Sequence, residues 1–449
     1  MPNTRVANLL ALQYQLEQRQ WWTPEALLTA QLRQIEQLID HARRTVPFYR
    51  DRLGAVADVE PGELTLDAYR KIPLLRCVHL QDSHDSLITQ NLPKDHGGMV
   101  DIKTAGSTGQ PVALKGSAIT GLHFRASNLR LHNWHRRDYS TRVAAVRSAM
   151  SGAIGKAAED GTSVQWVPGH PSGPMYFFDI TRPISEQLDW LVQQNLDYIL
   201  TFPSTLRALL QRAEKMGIDL PRLSQVSTMS EVLHPDVPDA CARIWGAKVV
   251  DSYSSQEVGI AAMQCPDHPH YHIQSEQVLL EVLDADDKPC GPGEVGRVVV
   301  TSLHNFATPL IRYEIGDHAK VGEPCPCGRG LPVLKRVLGR SRNMAILPSG
   351  DQIWPIGYFS ESLMPIAPVR QIQFIQNTVH EIDVKLVVSQ ALTGTEETAL
   401  RDYIVECLSY EFTINLQYVD EVPRSPSGKY EDFICRVDPA TVPAMTESV

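Results

Sequence analysis

From about residue 140 to residue 250, short apolar runs alternate with amphipathic stretches, and that alternation constrains the fold more than any other feature of the chain. Residues 142–146, 198–201, 225–228 and 247–250 read as strands. Between them, 184–194, 203–210 and 236–245 read as helices, the second opened by Pro203 and Ser204. Strands separated by helices cannot pair as hairpins, so they predict an α/β unit with a largely parallel sheet. Residues 278–282 and 296–301 are dense in β-branched residues and flank a turn-rich stretch, which predicts a smaller antiparallel β unit after the α/β core.

The flanks differ from this core. In the first fifty residues, Thr23 followed by Pro24 reads as an N-cap with proline at the first helical position. Leu28, Leu32, Ile35, Leu38 and Ile39 then form an apolar stripe that Pro47 stops, and this stretch is expected to pack as an appendage. Near Gly339 the character changes again. Strand-like residues 372–374, 383–388 and 413–418 with a helix over 393–409 predict a small α+β domain. The expected division is 1–339 and 340–449.

Composition excludes some classes. The formal net charge is −10, which argues against a nucleic-acid-binding surface. No apolar run approaches the roughly 20 residues needed to span a bilayer, and the N-terminus lacks a signal-peptide pattern. A cytoplasmic protein is expected, in which the eight cysteines are thiols or metal ligands rather than disulfides.

Four segments carry chemistry. Residues 104–111 read Thr-Ala-Gly-Ser-Thr-Gly-Gln-Pro, with Gly106 and Gly109 admitting close backbone approach and Thr104, Ser107 and Thr108 adding hydroxyl donors around an anion. The segment lacks the Gly-Lys-Ser/Thr ending of a Walker loop. Residues 251–257, Asp-Ser-Tyr-Ser-Ser-Gln-Glu, follow an apolar strand, where Tyr253 can stack on a base and Glu257 can hold magnesium. Asp317, after Gly316, can accept two ribose hydroxyls through its two oxygens. Lys429, in Pro-Arg-Ser-Pro-Ser-Gly-Lys, can place a point charge on a phosphate. Each segment by itself is more often a plain polar turn. There is also a Cys265, His268, His270, His272 series with Cys325 and Cys327 downstream. Three thiolates and one imidazole would meet the tetrahedral demand of zinc. No Ser/His/Asp signature of nucleophilic catalysis is present.

In this order and at these distances, the four segments resemble the adenylate-forming superfamily, and in particular the phenylacetate-coenzyme A ligases. The resemblance spans about residues 20–437 and includes Trp21-Trp22-Thr23-Pro24-Glu25 and Val46-Pro47-Phe48-Tyr49-Arg50. It implies ATP-dependent activation of a carboxylic acid to an acyl-adenylate, with pyrophosphate release and transfer to a thiol, usually that of coenzyme A. By the same resemblance, Thr104, Gly106, Ser107, Thr108 and Gly109 grip phosphates. Ser230 and Glu231 line the adenine and acyl pocket, and Asp251, Tyr253, Ser254 and Gln256 lie along the nucleotide. Tyr253 packs on adenine, Glu257 binds Mg2+, Asp317 holds ribose and Arg340 contacts the nucleotide at the domain junction. Lys429, on a mobile C-terminal domain, stabilises the adenylation transition state.

The resemblance also selects Cys265, His272, Cys325 and Cys327 as the Zn2+ set, with His270 the leading substitute. Trp134, Ser148, Phe202, Pro203 and residues 229–231 are positional candidates for the acid pocket, and an aryl or arylacetic acid leads. Two departures stand out: Gln256 replaces the family's threonine, and Arg342 replaces an acidic hinge residue. They leave the acceptor open among coenzyme A, a carrier-protein thiol, an amine and a hydroxyl, with a non-catalytic nucleotide-binding homologue as the rival. Oligomeric state is open, a homodimer included.

Overall fold

The computed structural model describes residues 3–103, 112–147, 164–167, 172–340, 343–353, 363, 365–408, 410–422, 430–437 and 442. It divides into two compact units. One comprises Met1–Leu233 and Cys241–Val337, the other His234–Ala240 and Leu338–Val449.

The first unit opens with helices α1 (Thr4–Arg19) and α2 (Pro24–Thr45). The Thr23 hydroxyl accepts from the Ala26 N–H, and Pro24 occupies the first turn, so α2 starts where its cap chemistry dictates. The helix ends as Val46 turns extended ahead of Pro47. Its stripe is no appendage: Ile35, Leu38 and Ile39 join the main core with Tyr253, Val298 and Leu310. Strands β1 (Met99–Lys103) and β2 (Ala113–Ser117) then pair antiparallel, with Lys103 opposite Ala113. Ser117 caps helix α3 (Ala118–Trp134), its hydroxyl and that of Thr120 forming a reciprocal box.

Next come β3 (Val143–Arg147), β4 (Val164–Gln165), β5 (Pro174–Asp179), α4 (Ile184–Gln194), β6 (Tyr198–Thr201), α5 (Pro203–Met216), β7 (Gln225–Met229), α6 (Asp236–Trp245) and β8 (Lys248–Ser255). Strands β5, β3, β6, β7 and β8 are parallel neighbours in that order, as the α/β alternation predicts. Beyond β8 lie β9 (Gly259–Gln264), β10 (Tyr271–Ile273), β11 (Val278–Leu283), β12 (Val295–Ser302), β13 (Tyr313–Val321) and β14 (Val333–Arg340). Strand β9 pairs antiparallel with β8, so the antiparallel part is hydrogen-bonded directly onto the parallel part. The result is one sheet ordered β11-β12-β13-β14-β10-β9-β8-β7-β6-β3-β5-β4.

Two segments differ from their sequence reading. Residues 251–255 are not a loop beyond the strand but its second half. Their serines have low strand propensity, yet β7 pairs with Asp251 and Ser252 and β9 with Ser252 to Ser255. Gly316 and Asp317 likewise lie within β13 rather than at a strand end. Between β12 and β13 the register shifts, Val299 facing Glu314 and Arg297 facing His318. Gly316 sits in that bulge at φ +85°, which a residue with a Cβ rarely adopts.

In the second unit, β17 (Val369–Thr378), β18 (Glu381–Val388), β19 (Thr413–Tyr418) and β20 (Phe433–Cys435) form a sheet ordered β19-β18-β17-β20, preceded by the small hairpin β15 (Ala345–Ile346) and β16 (Gln352–Ile353). Helix α7 (Gly394–Leu408) buries Leu400, Ile404 and Leu408 against Phe374, Val384 and Leu386.

Candidate functional site

Two clusters assemble from the residues singled out in the sequence. The first joins β8 to β13. The Tyr253 hydroxyl donates to Oδ2 of Asp317 at 2.7 Å, and both residues are buried. The Gly316 bulge puts the Asp317 carboxylate at this point of its strand. Glu257, also buried, lies in the three-residue turn between β8 and β9. That turn closes as the Val258 N–H donates to the Ser255 hydroxyl and Gly259 takes φ +74°. Ser254 is half-buried on β8 and Gln256 is exposed in the turn.

Ser230, just after β7, has φ +71°, a strained value for a residue other than glycine. Next to it, the Glu231 carboxylate accepts the Ser204 N–H at 3.0 Å and so caps the start of α5, where a negative charge meets the positive end of the helix dipole. Phe202 and Pro203 open the same helix. Arg340 is half-buried at the end of β14.

Asp251 has a different placement from the one its sequence position suggests. Its carboxylate accepts from the Thr228 hydroxyl at 2.5 Å and the Tyr271 hydroxyl at 2.6 Å, within the sheet. Burial pushes its pKa from 3.8 up to about 6 despite those hydrogen bonds. A carboxyl whose folded value lies above its unfolded one contributes stability fully present below about 4, and that contribution is lost as pH rises through about 6. Nothing in the segment 251–257 signals these partners, because they arrive from β7 and β10.

The second cluster is a candidate metal centre. Cys265 follows β9, His272 lies on β10, and Cys325 and Cys327 lie in the loop before β14. These strands are neighbours, so three chain segments converge at one place. The four ligand atoms all lie within 4.8 Å of one another. Cys265 Sγ is 3.9 Å from Cys325 Sγ, and Cys327 Sγ is 3.4 Å from His272 Nε2. A zinc tetrahedron requires edges of roughly 3.8 Å between sulfurs and about 3.5 Å from sulfur to nitrogen. His272 Nδ1 sits 3.3 Å from the Leu331 carbonyl. With Nδ1 protonated, that bond turns the Nε2 lone pair toward the cysteines. Burial lowers the His272 pKa to about 4, which keeps the ring neutral, as a ligand must be. The same burial pushes Cys325 up to about 12 and raises Cys265. Burial opposes ionisation of Cys327 too, but the N–H and guanidinium of Arg329 outweigh it and lower that pKa. A divalent cation is what would hold all three as thiolates. The donor set fits zinc, and His272 is the imidazole that lies within 4.8 Å of the three sulfurs.

The surroundings of this centre were not legible in the sequence. Trp134, a positional candidate for the acid pocket, is buried beside this centre. Its indole N–H donates to Gln20 Oε1 at 2.8 Å, its ring meets His272 edge-on, and the Arg329 guanidinium lies 4.7 Å from its centroid. Arg329 also donates to Gln20 and covers the ring of Trp21. The Gly330 N–H donates to the Gln20 carbonyl, and the Trp22 carbonyl leaves no room there for a Cβ. The joint between α1 and α2 therefore seats on the loop that carries Cys325 and Cys327.

Several positions lie outside the described residues: the segment 104–111 with Thr104, Gly106, Ser107, Thr108 and Gly109, as well as Ser148, Arg342 and Lys429. The strands before and after 104–111 are the paired β1 and β2.

Comparison with known proteins finds a family profile, sequence relatives and solved structures of similar fold. A family profile described as the CapK C-terminal domain matches residues 350–436. A phenylacetate-coenzyme A ligase of Thermus thermophilus is 25% identical over 404 residues, covering 85% of this chain and 86% of the relative. A protein CapK of Staphylococcus aureus is 26% identical over 153 residues, 30% of this chain and 31% of the relative. Among solved structures, a 2-hydroxyisobutyryl-CoA ligase in the postadenylation state, in complex with R3-HIB-AMP, superposes with a TM-score of 0.70 at 18% identity, covering 90% of this chain and 89% of that one. The chain shares its fold with that ligase, and over most of its length it is similar to the phenylacetate-coenzyme A ligases of the adenylate-forming superfamily.

Proposed function

We propose that the chain is an AMP-forming acid–thiol ligase. It activates a carboxylic acid with ATP, releases pyrophosphate, and passes the acyl group to coenzyme A. The observation that carries the reading is the Tyr253–Asp317 pair, with Glu257 in the turn that ends the strand of Tyr253. A carboxylate offers about four acceptor positions, so Asp317 can hold Tyr253 and ribose hydroxyls together. The phenol face of Tyr253 then lies against the adenine. Glu257 supplies a carboxylate for Mg2+, which neutralises phosphate charge when bound. Residues 104–109 would hold the phosphates by backbone N–H groups and hydroxyls. Ser230 and Glu231 border the acyl side, and Arg340 and Lys429 bring positive charge from the 340–449 domain, which is proposed to move between half-reactions.

In the first half-reaction the substrate carboxylate oxygen bonds to the α-phosphorus of ATP as the bond to pyrophosphate breaks. Negative charge gathers on the phosphoryl oxygens, and positioned cations lower that barrier. In the second, the thiol sulfur attacks the acyl carbon, gives up its proton, and displaces AMP. An aryl or arylacetic acid is the proposed substrate class, as in the phenylacetate ligase relative. Zinc at Cys265, His272, Cys325 and Cys327 is proposed as structural, since four protein ligands leave no open position for chemistry. A cytoplasmic setting suits those thiolates, which an oxidising compartment would pair. No helix among the described residues is long and apolar enough to cross a membrane.

The test is an acid panel with ATP and Mg2+, with and without coenzyme A, read by AMP release and mass of the product. An acyl-CoA of one aryl or arylacetic acid is expected. Acid-dependent AMP release with no consumption of coenzyme A would remove coenzyme A as the acceptor and leave a carrier thiol, an amine or a hydroxyl.

A further inference from the structure

The Asp251 carboxylate is spent entirely inside the protein. It is 5% exposed, and its two oxygens accept the hydroxyls of Thr228 on β7 and Tyr271 on β10. Its own backbone N–H donates to Gln264 Oε1 on β9. The side chain of Asp251 thus links β8 to β7 and, across β9, to β10, while its backbone N–H holds β9. A carboxylate only accepts, so each hydroxyl has one orientation, with its O–H pointing at Asp251. Along β8, Tyr253 lies two residues further and shares the face of Asp251, because side chains alternate across a strand.

We propose that Asp251 is a positioning residue for nucleotide binding, which fixes β8 against β7 and β10 and so sets the direction of the Tyr253 ring. The inference rests on the reading of Tyr253 as the adenine platform. The retention of an ionisable group supports it. Burial alone drives the Asp251 pKa upward, so the carboxylate costs stability at neutral pH. An uncharged side chain would fill the same space at lower cost, and groups held at such a cost cluster where function needs them. Tyr271 and His272 are consecutive on β10 and face opposite sides of the sheet, one toward Asp251 and one toward the cysteines.

The experiment measures equilibrium binding of ATP and of inosine triphosphate, and the KM for each substrate, in the full-length metal-loaded protein. The variants are Asp251→Asn, Tyr271→Phe, Thr228→Val and Thr228→Ser. Asp251→Asn, Tyr271→Phe and Thr228→Val are expected to weaken ATP about tenfold with the KM for the acid unchanged, roughly the effect of one lost hydrogen bond. Thr228→Ser, which keeps the hydroxyl, should bind ATP as the wild type does. All should keep the wild-type preference for ATP over inosine triphosphate. If Asp251→Asn does not fold, the Thr228 and Tyr271 variants carry the test. Wild-type ATP affinity in Asp251→Asn, or in both Tyr271→Phe and Thr228→Val, overturns the proposal. So does loss of base preference in Asp251→Asn alone, which would mean that the carboxylate touches the base itself. A wild-type protein that binds no adenine nucleotide would instead overturn the adenylation reading beneath it.

Discussion

Replacing Lys429 with alanine is expected to slow acid-dependent adenylation by about 10²–10³-fold while ATP affinity stays within about threefold of the wild type. The reasoning is electrostatic. As the carboxylate attacks, charge leaves the bridging oxygen and spreads over the phosphoryl group, and a fixed ammonium is worth most in that arrangement. An interaction stronger in the transition state than in the ground state raises kcat rather than lowering KM. Most ground-state affinity for ATP would come from the Tyr253–Asp317 pair and the phosphate segment, which the substitution leaves intact. Lys429→Arg is expected to rescue poorly, because a planar guanidinium does not replace a compact point charge. Equal rates in Lys429→Ala and wild type would remove Lys429 from the reaction.

Stripping the metal from the Cys265, His272, Cys325 and Cys327 centre is expected to have the largest effect on stability. Ligand bound only by the folded state adds roughly 4 kcal/mol when present at about a thousand times its Kd. For a unit of this size that loss lowers Tm by roughly 6 °C. The geometry says where the damage begins. Without the cation, the thiols of Cys265 and Cys325 return to their neutral forms, since burial disfavours their ionisation. The loop of Cys325–Cys327 then loses its anchor, and with it the seat of Gln20, Trp21 and Trp22. Cys325→Ser should reproduce most of the loss, as the alcohol is a poor zinc ligand. A protein shown by metal analysis to be stripped, yet melting within about 2 °C of the untreated one, would contradict a structural zinc.

Where local chemistry decides, the sequence was readable. Thr23-Pro24 starts α2 and Pro47 follows its end, and the runs at 184–194, 198–201 and 236–245 are the elements read from them. The grouping of Cys265, His272, Cys325 and Cys327 was readable because cysteine and histidine carry few other meanings in such a pattern, although choosing His272 over His270 took the resemblance. What was not readable depends on cross-strand partners. Asp-Ser-Tyr-Ser-Ser has the composition of a loop and becomes strand only because β7 and β9 flank it. Nothing near Asp251 in sequence announces that it accepts the hydroxyls of Thr228 and Tyr271. Nor does anything near Trp134 announce that Gln20, 114 residues earlier, takes its indole N–H. None of these pairings leaves a mark at short range.

The central claim is that the chain joins a carboxylate to AMP. The most direct test is ATP–pyrophosphate exchange with Mg2+ across a panel of acids, in the absence of any thiol. Exchange that depends on an aryl or arylacetic acid, and that falls about 10²–10³-fold in Lys429→Ala, is the predicted result. No acid-dependent exchange, from a folded protein that still binds ATP, would contradict it and leave a nucleotide-binding protein without the ligase chemistry.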